Sequence, residues 1–213
     1  DKHHSRRLCR DDCSTGRSVV MANEVTISNP TGSYAQLLFA DHSGDFGAAP
    51  TTGANSLIIG TPTDVQIDLT GLTDTSARQS AKSGDLGDPR ASLYRVDACI
   101  EWESAPTDNG GTVDFYWAGS PSSTAGTGNP GGASGSDASF THTIGIRAQL
   151  KYVGSLNVRA NVINIGFVGF LQPEHRYGSL IVVNNSGGAL RSTATAMDET
   201  HITLTPALYE PGA

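Results

Sequence analysis

Val113-Asp-Phe-Tyr-Trp117 runs on through Ala118-Gly-Ser-Pro-Ser-Ser-Thr-Ala-Gly-Thr-Gly-Asn129-Pro130-Gly-Gly-Ala-Ser-Gly-Ser-Asp137, a strongly β-forming run that breaks into a long tract of small residues. Such a tract serves neither a helix nor a buried core, and it reads as a surface loop hung from a β-sheet. Within the run, Val113, Phe115 and Trp117 fall on one face and Asp114 and Tyr116 on the other, the period of a strand.

The same period recurs along the chain. In Tyr94–Glu103 one face carries Tyr94, Val96, Ala98, Ile100 and Trp102, and the wetter face carries Arg95, Asp97, Cys99, Glu101 and Glu103. Val65–Leu69 alternates, and so does Leu150–Val158, with Tyr152, Gly154 and Leu156 on the side of Leu150. Ile163, Ile165, Phe167 and Leu171 line one side of the next run. Tyr177–Val183 is apolar on both faces, as in a strand covered twice, and Ile202 and Leu204 alternate near the end. Weaker strands are predicted at 24–28, 35–40 and 57–60, and one short helix at 73–83. Turn signals at Asn29-Pro30, Thr61-Pro62, Asn109-Gly-Gly111, Gln172-Pro173 and Asn184–Gly188 separate the runs.

With 213 residues, 25 glycines, and 16% charged and 37% hydrophobic residues, the composition suits a turn-rich all-β chain better than a helical bundle. The reading is an extended arm over 1–20 and one antiparallel β-sandwich over 21–213. A jelly roll is the leading topology, because it tolerates long loops. An immunoglobulin-like sandwich is the alternative, although the Cys–Trp–Cys spacing is absent.

A net charge of −7 argues against a dedicated nucleic-acid binder. The arm has five basic and three acidic residues, a net of +2, which leaves −9 on the body. Arg6, Arg7, Arg10 and Arg17 suit docking on an acidic neighbour, as they suit a solvated tail or a tag remnant around His3-His4. The stretch Val162–Leu171 is too short and too interrupted to span a bilayer, and the leader lacks a signal-peptide core. A soluble protein without membrane contact is expected.

Motifs of chemistry are sparse. Gly126-Thr-Gly-Asn-Pro-Gly131 fits G-x-G-x-x-G, but Pro130 and a Ser/Gly run follow where a phosphate-binding helix would have to begin. Neither a G-x-S-x-G elbow nor an H-E-x-x-H helix is present. Glu101, Glu103 and Asp114 would form an acidic cluster if their strands paired, of a kind that hydrolyses glycosides or binds calcium; the plainer reading is a wet sheet face. Asp41–Asp45 and Asp108–Asp114 are fragments of calcium loops without EF-hand spacing. His3, His4, Cys9 and Cys13 are zinc-type ligands in no standard spacing, and three cysteines make no disulfide scaffold. Trp102 and Trp117 sit on apolar faces and read as core, leaving Tyr116 as the exposed aromatic for a sugar ring. No enzyme activity, cofactor or metal is assigned.

Two segments carry a resemblance. Val113–Ala118 with Gly128–Asp137, and His175-Arg-Tyr-Gly-Ser-Leu-Ile-Val-Val-Asn-Asn-Ser-Gly-Gly-Ala-Leu190, are similar to segments of small virion structural proteins of tailed bacteriophages. The resemblance spans roughly the C-terminal half and brings no catalytic residue with it. It implies a capsid decoration, or cement, protein on the outer head surface. Its partners would be the major capsid protein and copies of itself, with a trimer favoured and no nucleic acid bound. Arg6, Arg7, Arg10, Arg17, Tyr116, Asn129 and Pro130 are then the candidate assembly contacts. The alternatives are a neck, tail or fibre component that binds host glycans, and a non-viral carbohydrate-binding module.

Overall fold

The computed structural model describes residues 25–27, 35–44, 46, 55–86, 91–106, 110–192 and 199–209. It is built almost wholly of strands: β1 (Val25–Ile27), β2 (Leu37–Ala40), β3 (Thr63–Gln66), β4 (Ala77–Gln79), β5 (Leu93–Glu101), β6 (Thr112–Ser120), β7 (Ala138–Ser139), β8 (Lys151–Asn157), β9 (Ile163–Leu171), β10 (Tyr177–Asn185) and β11 (His201–Tyr209). The all-β class read from composition and period is therefore observed. The helix expected at 73–83 does not form. Thr75 turns the chain at positive φ, and Ala77–Gln79 joins the sheet instead. The one α-helix of the described residues, α1, is Ile144–Arg147, capped by the Thr143 side chain. Residues 57–60, expected as a strand, form none.

Hydrogen-bonded neighbours run in the order β3-β2-β11-β5-β9-β8-β6-β10-β4-β7, with β1 on β11. The long pairings are antiparallel; among the described residues β2 and β3 alone are parallel. The sheet curls until its ends face each other. The ring of Phe39 on β2 meets that of Trp117 on β6 edge to face at 6.4 Å, although β11, β5, β9 and β8 lie between them along the sheet. The main core fills the curl with Phe39, Val96, Ile100, Trp102, Phe115, Trp117, Leu180, Ile202 and Leu204. Both tryptophans are buried, as their strand faces imply.

At the middle of the curl, β8 and β9 meet through a single registered pair, Gly154 with Gly169. Each strand is irregular beside its glycine: the β6–β8 register shifts at Phe115/Tyr116, and the β5–β9 register shifts at Val96/Asp97. The extra residues are Val153 and Val168, and both turn inward. A Cβ on Gly154 would collide with the Val168 carbonyl oxygen, and one on Gly169 with the Val153 carbonyl oxygen. The glycines let two bulged backbones nest, which a side chain would prevent.

The bulges also overturn the faces read from simple alternation. Leu171 is fully buried, whereas Ile165 and Phe167 are exposed together with Phe170. The inward positions of β9 include Asn164, whose amide is satisfied by Arg159 and Asn161. On β8, Tyr152 points out and Val153 in, so the single apolar side drawn from Leu150 through Val158 does not exist.

Strand β10 is covered twice, as expected. One face packs into the main core; Ile181 and Val183 on the other pack into a second cluster with Ala77, Ala118, Ala133, Phe140 and Leu150. The Gly/Ser tract supplies part of that second layer, which corrects its reading as a loop without buried positions. Ala133 and Gly131 are buried within it.

Candidate functional site

The tract after β6 is held by the chain itself. The Lys82 ammonium donates to the Ser120 hydroxyl at 3.0 Å and to the carbonyls of Ser122, Thr124 and Thr127 at 2.7, 2.7 and 3.0 Å. At the far end the Asp137 carboxylate accepts from Arg78 Nε at 2.9 Å and from the Asp68 amide at 3.2 Å. This bond holds the Arg78 pKa above the ordinary guanidinium value against the opposing effect of burial, with the charges of Asp137, Asp68 and Asp41 adding to it. Between these anchors, Ser134 N–H donates to Gln79 Oε1 and Lys82 N–H to the Gly135 carbonyl. The chain's own side chains thus anchor the loop near both of its ends.

Held in this way, the loop walls a cavity of about 300 Å³ against β6, β8 and the turn before β10. Trp117, Asn129, Gln149, Lys151, Glu174 and His175 line it, with Gly119, Gly128 and Pro130. Asn129 and Pro130, singled out from sequence, thus come together at one concave site. The Trp117 indole N–H is buried with no protein partner, and so are both amide atoms of Asn129. Trp102 differs: its N–H donates to Ser186 Oγ at 3.1 Å. Lys151 is already engaged, donating to the Gln172 carbonyl at 2.6 Å and facing Glu174 at 3.6 Å.

Tyr116 lies outside this cavity and is half-buried, its ring 5.3 Å from that of Tyr152. Tyr152 is the more exposed ring, at 57%. The Ser155 hydroxyl donates to Asp114 Oδ1 at 2.5 Å, so the Tyr152 hydroxyl, 2.5 Å from Ser155 Oγ, is the donor of that pair. Asn185 Nδ2 donates to the other Asp114 oxygen at 2.8 Å.

The acidic cluster proposed from sequence does not assemble, because β5 and β6 are not neighbours: β5 pairs with β11 and β9, and β6 with β8 and β10. Glu101 is buried and paired with Arg191, and it accepts from the Glu199 amide at 3.0 Å. Glu103 accepts from the backbone and hydroxyl of Ser192, and these bonds lower its pKa. Among the described residues no three His, Cys, Asp or Glu gather as a metal site, and no helix is long and apolar enough to cross a membrane. Arg6, Arg7, Arg10, Arg17, the His3/His4/Cys9/Cys13 set, Asp45 and 107–109 lie outside the described residues.

On the other half of the sheet, residues 55–60 strap the outer side of β11. Gln36 donates to the Leu57 carbonyl at 3.0 Å and accepts from the Ile59 amide at 3.0 Å. His201 Nδ1–H donates to the Glu199 carbonyl at 2.5 Å, and its Nε2 accepts from the Leu57 amide at 3.2 Å. His201 is fully buried, beside the Phe46 ring and opposite Cys99 in register. Cys99, read as lying on a wetter face, is buried too. Burial pulls the His201 pKa below the ordinary histidine value, and the bond to Glu199 opposes this only in part. The folded state thus binds fewer protons than the unfolded one below about pH 6.5, and stability falls as pH drops from there toward the depressed value. Urea denaturation between pH 7.5 and 5 is expected to lose up to about 1.4 kcal/mol per pH unit from this residue. The slope should flatten in His201→Gln; an equal slope in the variant would assign it elsewhere.

Comparison with known protein families, curated proteins and solved structures finds no match to this chain.

Proposed function

We propose that the chain is a virion structural protein, a capsid decoration protein of tailed-phage type that binds the outer head surface, and that its eight principal strands make a jelly roll. The pairing order supports the topology. Strands β2-β11-β5-β9 form one half of the curl and β8-β6-β10-β4 the other, with successive strands crossing between halves except from β6 to β8. Two Greek keys folded together give this order, an architecture used by viral capsid and lectin domains. Fold alone does not carry the role.

The observation that carries it is the outward face of β9. Ile165, Phe167 and Phe170 are each between 43% and 49% exposed on a strand whose inward positions include an asparagine. The two phenylalanine rings contact at 5.1 Å, and the Arg95 guanidinium, paired with Asp97, lies 5.3 Å over Phe167. An aromatic pair with an arginine on an exposed sheet face has the composition of a binding hot spot. In this reading it docks on the major capsid protein, the chain is a homotrimer, and the basic arm reaches a neighbour.

Two measurements test this. Quantitative mass spectrometry of purified particles should find copies near stoichiometric with the major coat protein; a handful would move the protein to the neck or tail, and none would remove it from the particle. Phe167→Ser with Phe170→Ser should weaken capsid retention by at least about tenfold, since each hot-spot ring contributes about 2 kcal/mol. The melting temperature should fall only modestly, because each ring is already about half exposed. Unchanged retention would take the β9 face out of the interface.

A further inference from the structure

We infer that the outer face of β6 and β8 carries a site for a guanidinium group, the arginine side chain of a partner protein. Asp114 and Tyr116 stand on that face of β6, and in register across from them stand Ser155 and Tyr152 of β8. The alternate residues of β6, Val113, Phe115 and Trp117, fill the main core. Residues two apart on a strand are roughly 7 Å apart, so one ligand can reach both the tyrosine pair and the carboxylate. Tyr152 is 57% exposed, and its ring meets that of Tyr116 at 58° with centroids 5.3 Å apart. Tyr116 is the inner wall, packed against the second core cluster. The Tyr152 hydroxyl is spent on Ser155, which fixes the ring and leaves its π face as the contact.

The carboxylate decides the charge of the ligand. The Ser155 hydroxyl donates to Asp114 Oδ1 and the Asn185 amide to Oδ2, and both donors are neutral. Among the described residues Arg78, Arg95, Lys151, Arg176 and Arg191 each face an acid, and none of those acids is Asp114. The half-buried charge is therefore held in place and uncompensated. A carboxylate has about four lone-pair positions, and the two donors leave one on each oxygen. A guanidinium fork offers two parallel N–H groups to such a pair, and its flat, weakly hydrated face stacks on a tyrosine ring. An ammonium has no fork and holds its water more tightly. The chain builds this arrangement once from its own residues: Arg95 lies 5.3 Å over Phe167 and donates through Nε and Nη2 to the two oxygens of Asp97. A net charge of −7 draws cations to the surface.

The experiment titrates the ¹⁵N-labelled full chain with N-acetyl-arginine amide at constant ionic strength. N-acetyl-lysine amide, methyl glucoside and sodium acetate are the comparison ligands. The backbone signals of Asp114, Tyr116, Tyr152 and Ser155 should shift saturably with the arginine probe, with those of Ile202 and Leu204 fixed. The lysine probe should bind at least about threefold more weakly, and the glucoside and acetate should leave the signals in place. Asp114→Asn removes the charge and should raise Kd about tenfold. Tyr152→Leu removes the exposed ring and should raise it about threefold. Unaltered remaining cross-peaks show that both variants are folded. No shift with the arginine probe, an equal shift with the lysine probe or the glucoside, or unchanged affinity in both variants would overturn the inference. Each outcome is read on the free chain, apart from where, or whether, the protein sits in a particle.

Discussion

Gly154→Ala is expected to destabilise the fold by about 3 kcal/mol, the upper range for overpacking, because the new methyl meets backbone. The colliding atom is the Val168 carbonyl oxygen, which cannot rotate away as a side chain would. The position is also where β8 and β9 share their one registered pair, so relief requires parting the two halves of the curled sheet. For a chain of this size the melting temperature should fall on the order of 10 °C. Gly84→Ala is the control: nothing lies within 4 Å of its Cβ position, and its melting temperature should match wild type. Equal stability of the two variants by calorimetry would show that the junction yields without cost.

The second large effect lies at Lys82. Lys82→Met keeps the stem and removes the ammonium that gathers one hydroxyl and three carbonyls of the Gly/Ser tract. The Ser120 hydroxyl remains as a donor to the Ser122 and Thr127 carbonyls, but the charged anchor is gone, and about 3 kcal/mol of local stability should go with it. Opening then becomes on the order of 100-fold more frequent. Limited proteolysis with proteinase K, followed by mass spectrometry, should show new cuts within residues 121–137 while the strands stay intact. The cavity lined by Asn129 should lose its shape in the same variant. A digestion pattern identical to wild type would mean that the Asp137–Arg78 anchor suffices alone.

Period-two patterning revealed the class, the double burial of Tyr177–Val183 and the core placement of both tryptophans. It failed where a bulge shifts the phase. Ile165 and Phe167 look like core beside Leu171, and only the extra residue at Val168, a backbone event with no side-chain signature, separates them. The paired glycines 154 and 169 were the available hint, since glycine within a strand marks a bulge or a close approach. Part of the candidate site was legible. Asn129 and Pro130 stood out as loop residues, but Lys82, 38 residues before Ser120, carries no mark of its role as the loop's anchor. The acidic trio failed for a topological reason: consecutive strands β5 and β6 belong to different halves of the curl, so nearness in sequence did not give pairing.

The ends of the sheet have a consequence of their own. The path terminates in β3, four residues with Thr63 and Asp64 exposed, and in β7, only two residues long. Neither offers a neighbouring copy a length of unpaired backbone along which to zip, and Asp64 sets a charge beside one of them. Edge-to-edge pairing of copies through β3 or β7 is thereby disfavoured, which guards these two ends of the sheet against cross-β polymerisation.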